Sequence, residues 1–202
     1  MTDVTGTLVD ERLNHLESRL ATGGATQTDI THFLVNHYYA SLHRLALSIV
    51  QQSQEAADVA QRTIIKASEK IDQYRPGTNF KAWVFKICVN EARTSIRRRV
   101  ARERLQKIIT LGLRTSAPPL LPEARLIQSE RNAAIWHAVA NLPEKQRLPI
   151  LLRYNFEMSD QEICEILDVP YGTIRSRLHH AHKKLYAVLG NADFVSHREV
   201  TK

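Results

Sequence analysis

An all-α protein, built as two small helical domains joined by a flexible linker, is what the sequence predicts. Three observations lead there. Glycine is scarce, seven in 202 residues. Apolar residues recur at intervals of three and four rather than in alternation, the period of a helix and not of a strand. The periodicity weakens once, between about 108 and 128, where Pro118, Pro119 and Pro122 fall close together, a composition that reads as linker. The expected division is therefore a tail or short extra helix over 1–32, a first domain over 33–107, the linker over 108–128, a second domain over 129–190 and a tail over 191–202. A chain of this length suffices for one domain or two small ones.

Each element follows from its own pattern. The first 32 residues hold five acidic and two basic side chains and little periodicity. Leu34, Tyr38, Leu42, Leu45 and Ile49 mark one face of a first helix. A second spans about Gln54 to Ile71, with Ala57, Ala60, Ile64, Ala67 and Ile71 as its stripe, and Tyr74-Arg75-Pro76-Gly77 turns the chain after it, since proline fixes φ and glycine tolerates what other residues do not. A third begins near Asn79 or Phe80, carries Trp83, Val84, Ile87, Cys88 and Ala92 inward, and continues into arginines. Trp83 and Phe85, two residues apart, do not share one narrow face, so one of them belongs at its edge. Beyond the linker, Ala134, Ile135, Trp136 and Val139 lie on a helix that stops near Asn141. Pro143 suits the first position of the next, which carries Leu148, Leu151 and Leu152. Pro149 inside that helix predicts a kink or an interruption.

Charge narrows the partners. The 28 Lys and Arg against 21 Asp and Glu leave a formal +7, which makes polyanions plausible partners without identifying one. Its placement says more: Lys81, Lys86, Arg93, Arg97, Arg98, Arg99, Arg102, Arg104 and Lys107 face only Glu91 and Glu103 within one stretch. That stretch alone equals the excess of the whole chain. The two cysteines, Cys88 and Cys164, sit in apolar helical patterns outside any CxxC pair. They read as core thiols of a reducing cytoplasm rather than as a disulfide framework or zinc cluster. No apolar run approaches the ~20 residues that span a bilayer, and the opening MTDVTGTLVDERL has neither the basic start nor the apolar stretch of a secretion signal. A cytoplasmic protein without direct membrane insertion, metal or cofactor is expected.

The most informative stretch is Ser159 to Leu185. Ser159 followed by Glu162 has capping-box spacing, in which hydroxyl and carboxylate each satisfy the other residue's backbone N–H. Ile163, Ile166 and Leu167 give the helix so started an inward face, and Asp168-Val169-Pro170 ends it. In the next helix Ile174, Leu178, Ala181 and Leu185 repeat at helical spacing, which leaves Arg175, Ser176, His179, His180 and His182 outward. A solvated helical hairpin would explain the apolar stripe alone. Cap, tight turn and an outward face without acid together favour the helix-turn-helix, whose second helix enters the major groove. Arginine bonds a guanine edge bidentately, and serine or histidine reaches bases or phosphates. Thr173, near the helix N-terminus, is placed to help hold a phosphate.

NFKAWVFKICVNEARTSIRRRVARERL combines aromatic rings, asparagine and a dense arginine run. Core aromatics with merely solvated arginines would account for it. So would capture of single-stranded nucleic acid, in which bases stack on rings while cations hold the backbone.

Two longer blocks carry a family resemblance. EAADVAQRTIIKASEKIDQYRPGTNFKAWVFKICVNEARTSIRRR resembles region 2, and LPEKQRLPILLRYNFEMSDQEICEILDVPYGTIRSRLHHAHKKL region 4, of an extracytoplasmic-function (ECF) sigma factor, the two-domain minimal form of the sigma-70 family. With the helix before each block, the likeness covers roughly residues 33 to 189. It implies an RNA polymerase subunit with no catalytic centre that directs core polymerase to promoters and helps melt the −10 region. Asp58 and Gln61 would dock on the polymerase clamp helices, with the flap a further contact. Asn79, Lys81, Trp83, Lys86 and Asn90 would take the −10 element and a flipped-out base, while Arg93, Arg97 and Arg98 hold phosphates. Base flipping costs a few kcal/mol, which stacking and phosphate contacts offset. Arg175, Ser176, His179 and His180 would read the −35 duplex, with Arg177 and Lys183 on phosphate. An anti-sigma factor is implied as a further partner.

Several residues depart from the family's pattern. Arg62 stands where glutamate is usual, which bears on charge pairing at the clamp. His180 and His182 replace frequent arginines, so part of the −35 affinity would follow pH, since histidine titrates near neutrality. Two other functions compete. A stand-alone helix-turn-helix regulator would bind duplex DNA and never enter polymerase, but it has no need of Asp58, Gln61, Trp83 and Asn90 in this arrangement. A metal-dependent nuclease would need His179, His180 and His182 to converge on one ion; they lie too close along a helix, and no carboxylate cluster accompanies them.

Overall fold

A computed structural model describes residues 18–19, 26–75, 77–109 and 130–189. The described residues are helices and turns, α1 (Gln27–Val50), α2 (Ser53–Glu69), a single 3₁₀ turn (Ile71–Gln73), α3 (Phe80–Ile109), α4 (Glu130–Ala140), α5 (Glu144–Tyr154), α6 (Asp160–Leu167) and α7 (Tyr171–Leu189). The chain divides into two compact units between Leu121 and Pro122. That boundary, most of the linker expected over 108–128, most of 1–32 and the tail over 191–202 lie outside the described residues.

In the first unit α1, α2 and α3 each pack on the other two. A capping box, which apolar periodicity does not register, starts α1. The Thr26 hydroxyl accepts from the Asp29 N–H at 3.2 Å, and the Asp29 carboxylate accepts from the Thr26 N–H at 2.9 Å. The helix therefore begins at Gln27, six residues before the domain start expected from apolar spacing. The Thr26 bonds, then Arg19 at 2.8 Å, hold the Asp29 carboxyl below its ordinary range. Gln51, in the left-handed region at φ 58°, closes α1.

The α2 stripe is turned slightly from the expected one. Ala56, Val59, Ala60, Thr63, Ile64 and Ala67 are buried, while Ala57 and Ile71 are only half-buried. Thr63 joins that face because its hydroxyl donates to the Val59 carbonyl at 2.7 Å, which satisfies the one polar atom that burial would leave exposed to apolar surroundings. The helix stops at Glu69, and the 3₁₀ turn carries Ile71. Gly77, at φ +84°, takes a conformation that a Cβ would strain. Asn79 then caps α3, its side-chain oxygen accepting from the Ala82 N–H at 2.8 Å.

Phe85, fully buried, and Trp83, half-buried, settle the question of which aromatic lies at the edge. The core of this unit closes on Phe80, whose ring lies within 6 Å of Phe33, Tyr38, Tyr74 and Trp83. Ile87 is half-buried, and Cys88 is in the core, where burial pushes its thiol up to about 12. Such a thiol stays protonated and behaves as a small hydrophobe.

In the second unit α7 packs against α4, α5 and α6. Helix α5 runs through Pro149 without interruption, contrary to expectation. The proline sits in the middle of the helix and is buried with Leu148, Ile150 and Leu152, and packing of that kind outweighs the one backbone bond lost. Pro143 occupies the cap itself rather than the first helical position. The buried Arg147 ties the two preceding turns together: its guanidinium donates at 2.9 Å to the carbonyls of both Ala140 and Leu142. The first is a carbonyl that the end of α4 leaves without a helical partner, and the second belongs to the turn that follows.

Both halves of the predicted capping box are present at α6, with Glu162 N–H to Ser159 Oγ at 3.3 Å and Ser159 N–H to Glu162 Oε2 at 2.6 Å. Ser159→Ala is expected to lower the stability of the second unit by about 1 kcal/mol, read as a shift of the thermal midpoint of that unit. Asp168, at φ 55°, ends α6 in the left-handed region.

Candidate nucleic-acid interfaces

In α3 the sequence spaces Trp83, Lys86, Asn90, Arg93 and Arg97 at alternating steps of three and four, so they form one stripe along the helix. The opposite side holds Val84, Phe85, Cys88 and Ala92, all fully buried. Along the stripe Trp83, Lys86 and Arg93 are half-buried, and Asn90 and Arg97 exposed. Trp83 is not a free plate, since its ring packs at 5.4 Å from Tyr74 and 5.7 Å from Phe80. One aromatic wall thus fixes the tryptophan and leaves part of its surface open.

Three sequence-predicted residues fall away from the stripe. Lys81 lies on the far side of the helix, its ammonium 5.9 Å from the centre of the Phe85 ring. Asn79 spends its side-chain oxygen on the cap just described. Arg98, exposed, stands about a quarter-turn from Arg97.

The arginine run is also less uniform than it reads. Arg99 turns inward, donating to Glu55 and, at 3.3 Å, to the Val50 carbonyl. Arg62, set apart in the sequence as a departure, reaches across to α3, 3.3 Å from Ser95 Oγ and 4.0 Å from Glu91. Lys66 meets Glu91 at 2.5 Å, so two cations of α2 enclose this buried carboxylate of α3. Arg62 is thereby explained within the unit as part of an α2–α3 brace, whatever it meets outside. On the outer face of α2, Asp58 and Gln61 are exposed one turn apart, and Ile65, one turn further, leaves 53% of its surface open. Ile65 was missed by the sequence reading; its signal is the Ile64-Ile65 pair, of which a narrow stripe buries only one.

In the second unit Ile174, Leu178, Ala181 and Leu185 of α7 are buried as expected. Arg175, Ser176, His179, His180 and Lys183 are exposed, and Thr173 and Arg177 half-buried. His182 corrects the outward reading of all three histidines. Its Nε2 lies 3.0 Å from the Tyr154 hydroxyl on α5, and the residue is half-buried. That ring helps pack α7 on α5. The described residues contain no group of three or more His, Cys, Asp or Glu able to hold a metal ion, and none of their helices is long and apolar enough to cross a membrane.

Comparisons with known proteins bear on both units. Residues 34–102 match the family described as Sigma-70 region 2, and residues 132–185 that described as Sigma-70, region 4. The chain is 29% identical to the ECF RNA polymerase sigma factor SigW of Bacillus subtilis, over 75% of this chain and 84% of that protein. It is 27% identical to the RNA polymerase sigma-H factor of Pseudomonas aeruginosa, over 88% and 94% respectively. Among solved structures, the sigma factor RpoE in complex with the anti-sigma factor NepR from Bartonella quintana is similar, with a TM-score of 0.63 at 27% identity, covering 80% of this chain and 96% of that one.

Proposed function

This chain belongs to the extracytoplasmic-function subfamily of the sigma-70 family, and from that premise we propose how its two units divide the work of an RNA polymerase sigma factor. The first unit, corresponding to region 2, takes core polymerase on α2 and the −10 element on α3. The second, corresponding to region 4, lays α7 in the major groove of the −35 duplex. The role is to direct polymerase, not to catalyse, and it belongs to the cytoplasm, where promoter and polymerase meet.

The observation that carries this reading is the stripe on α3. Trp83, Lys86, Asn90, Arg93 and Arg97 run along one side of a single helix whose other side is core. A ring, an amide and three cations in line suit an unpaired strand, with a base against Trp83 and phosphates along the arginines. Arg98 serves as a flanking charge, Lys81 on the far side of the helix takes no part in the stripe, and Asn79 contributes chiefly by fixing the start of the helix. Asp58 and Gln61, with Ile65 beside them, form the face offered to the clamp helices. On α7 Arg175, Ser176, His179 and His180 read bases, while Thr173, Arg177 and Lys183 meet phosphates. That the similar RpoE structure is a complex with an anti-sigma factor supports such a partner here.

Purified core polymerase supplemented with this protein is expected to melt and transcribe a cognate promoter. Duplex binding without any opening would favour a stand-alone regulator instead. Asn90→Ala, an exposed substitution that leaves the core intact, should reduce −10 opening while −35 duplex binding stays unchanged. Trp83→Ala should do the same more strongly, by roughly tenfold for the loss of one stacked base. Permanganate reactivity of −10 thymines equal to that of the parent protein would contradict both assignments.

A further inference from the structure

The His180 ring is fixed by its own helix. Its Nδ1 lies 2.7 Å from the carbonyl oxygen of Ser176, one turn earlier. A carbonyl oxygen only accepts, so Nδ1 carries the hydrogen, and the neutral ring keeps its lone pair on Nε2. The Ser176 hydroxyl stands 3.4 Å from the same Nδ1, and the His179 ring lies edge-on with its centre 5.7 Å away. Both His180 and Ser176 are exposed in the middle of the outward face of α7. His182 does not share this role, being turned to Tyr154.

We propose that His180 is a specificity-determining residue whose Nε2 accepts a hydrogen bond from an exocyclic amine, adenine N6 or cytosine N4, in the major groove of the −35 duplex. The inference rests on the reading of α7 as the −35 helix and adds the polarity of one contact. Arginine carries donors only and pairs with guanine O6 and N7. A histidine whose Nδ1–H is held by the helix backbone does the reverse. It needs a donor on the base edge, and in the major groove adenine and cytosine amines are the donors available.

The test uses holoenzyme assembled from the full chain and core polymerase, with promoter fragments randomised across the −35 element. Sequencing the retained fragments before and after His180→Ala identifies the base pair whose preference depends on this residue. Two chemical deletions are then made at that pair in the preferred promoter. One removes only the exocyclic amine, as purine for adenine or 2-pyrimidinone for cytosine. The other removes only the purine N7, as the 7-deaza base. Amine removal should weaken wild-type binding by roughly three- to tenfold, the range of one hydrogen bond, and His180→Ala binding by less than about twofold. Removal of N7 should affect both proteins alike.

A His180-dependent loss on removing N7 means that the ring donates, which overturns the proposal. An equal loss for both proteins on removing the amine overturns it too, as does a selection in which no base pair responds to His180→Ala. In those three outcomes −35 selection as such persists and the sigma-factor reading stands. A holoenzyme that selects nothing across the −35 element removes the assignment of α7 itself.

Discussion

Phe85→Ala is expected to lower the stability of the first unit by about 3–5 kcal/mol, the range for emptying a fully buried aromatic site. Phe85 has no exposed surface and faces the side of α3 that packs on α1 and α2. A small domain has on the order of 5–15 kcal/mol in all, so the variant should spend an appreciable time unfolded near physiological temperature. The chain provides its own reporters, Trp83 in the first unit and Trp136 in the second, its two tryptophans. With Trp136→Phe as background, fluorescence during urea unfolding follows the first unit; with Trp83→Phe it follows the second. The substitution should move the first transition to lower urea and leave the second in place. An equal shift of both would mean that the two units do not unfold separately. Holoenzyme formation should fall with the first transition, since Asp58, Gln61 and Ile65 are presented by the same bundle.

Arg175→Ala should weaken −35 binding by about 1–3 kcal/mol and relax the preference at one base pair, the signature of a lost bidentate contact. Lys183→Ala is the contrast. A lysine on phosphate carries no sequence information, so its loss should weaken all duplexes alike and reduce the salt slope by about 1. Both residues are exposed on the same helix and neither supports the core, so changes in folding do not confuse the comparison. A uniform loss for Arg175→Ala would reassign that residue to the backbone.

What could be read from the sequence depended on the range of the interaction. The Ser159–Glu162 box and the Ile174, Leu178, Ala181 and Leu185 stripe are local periodic signals, and both are found in place. Thr26 and Asp29 carry the same type of signal. Apolar spacing does not register them, because a cap is marked by a hydroxyl and a carboxylate rather than by periodicity. By contrast, nothing near His182 in the chain indicates Tyr154, 28 residues away. Likewise Arg62 and Lys66 meet Glu91 only because α2 and α3 pack side by side. A charged residue reads as a surface residue until its neighbour is known, which is why Arg99 reads as one more solvated arginine of its run. The burial of Phe85 over Trp83 was open for a related reason, since each ring suits the core and only the packing of Phe80 with Tyr74 decides between them.

The brace around Glu91 has a consequence for how a polyanion experiences α3. A free carboxylate in that helix would repel the phosphodiester chain that its neighbours attract. Here the charge is cancelled at contact distance from behind, by a lysine and an arginine of another helix. At the distances over which mobile ions screen, about 10 Å in moderate salt, such a cluster has little anionic character left. A strand bound as proposed would therefore meet a surface more cationic than the composition of the helix suggests, and the cancelling charges come from α2.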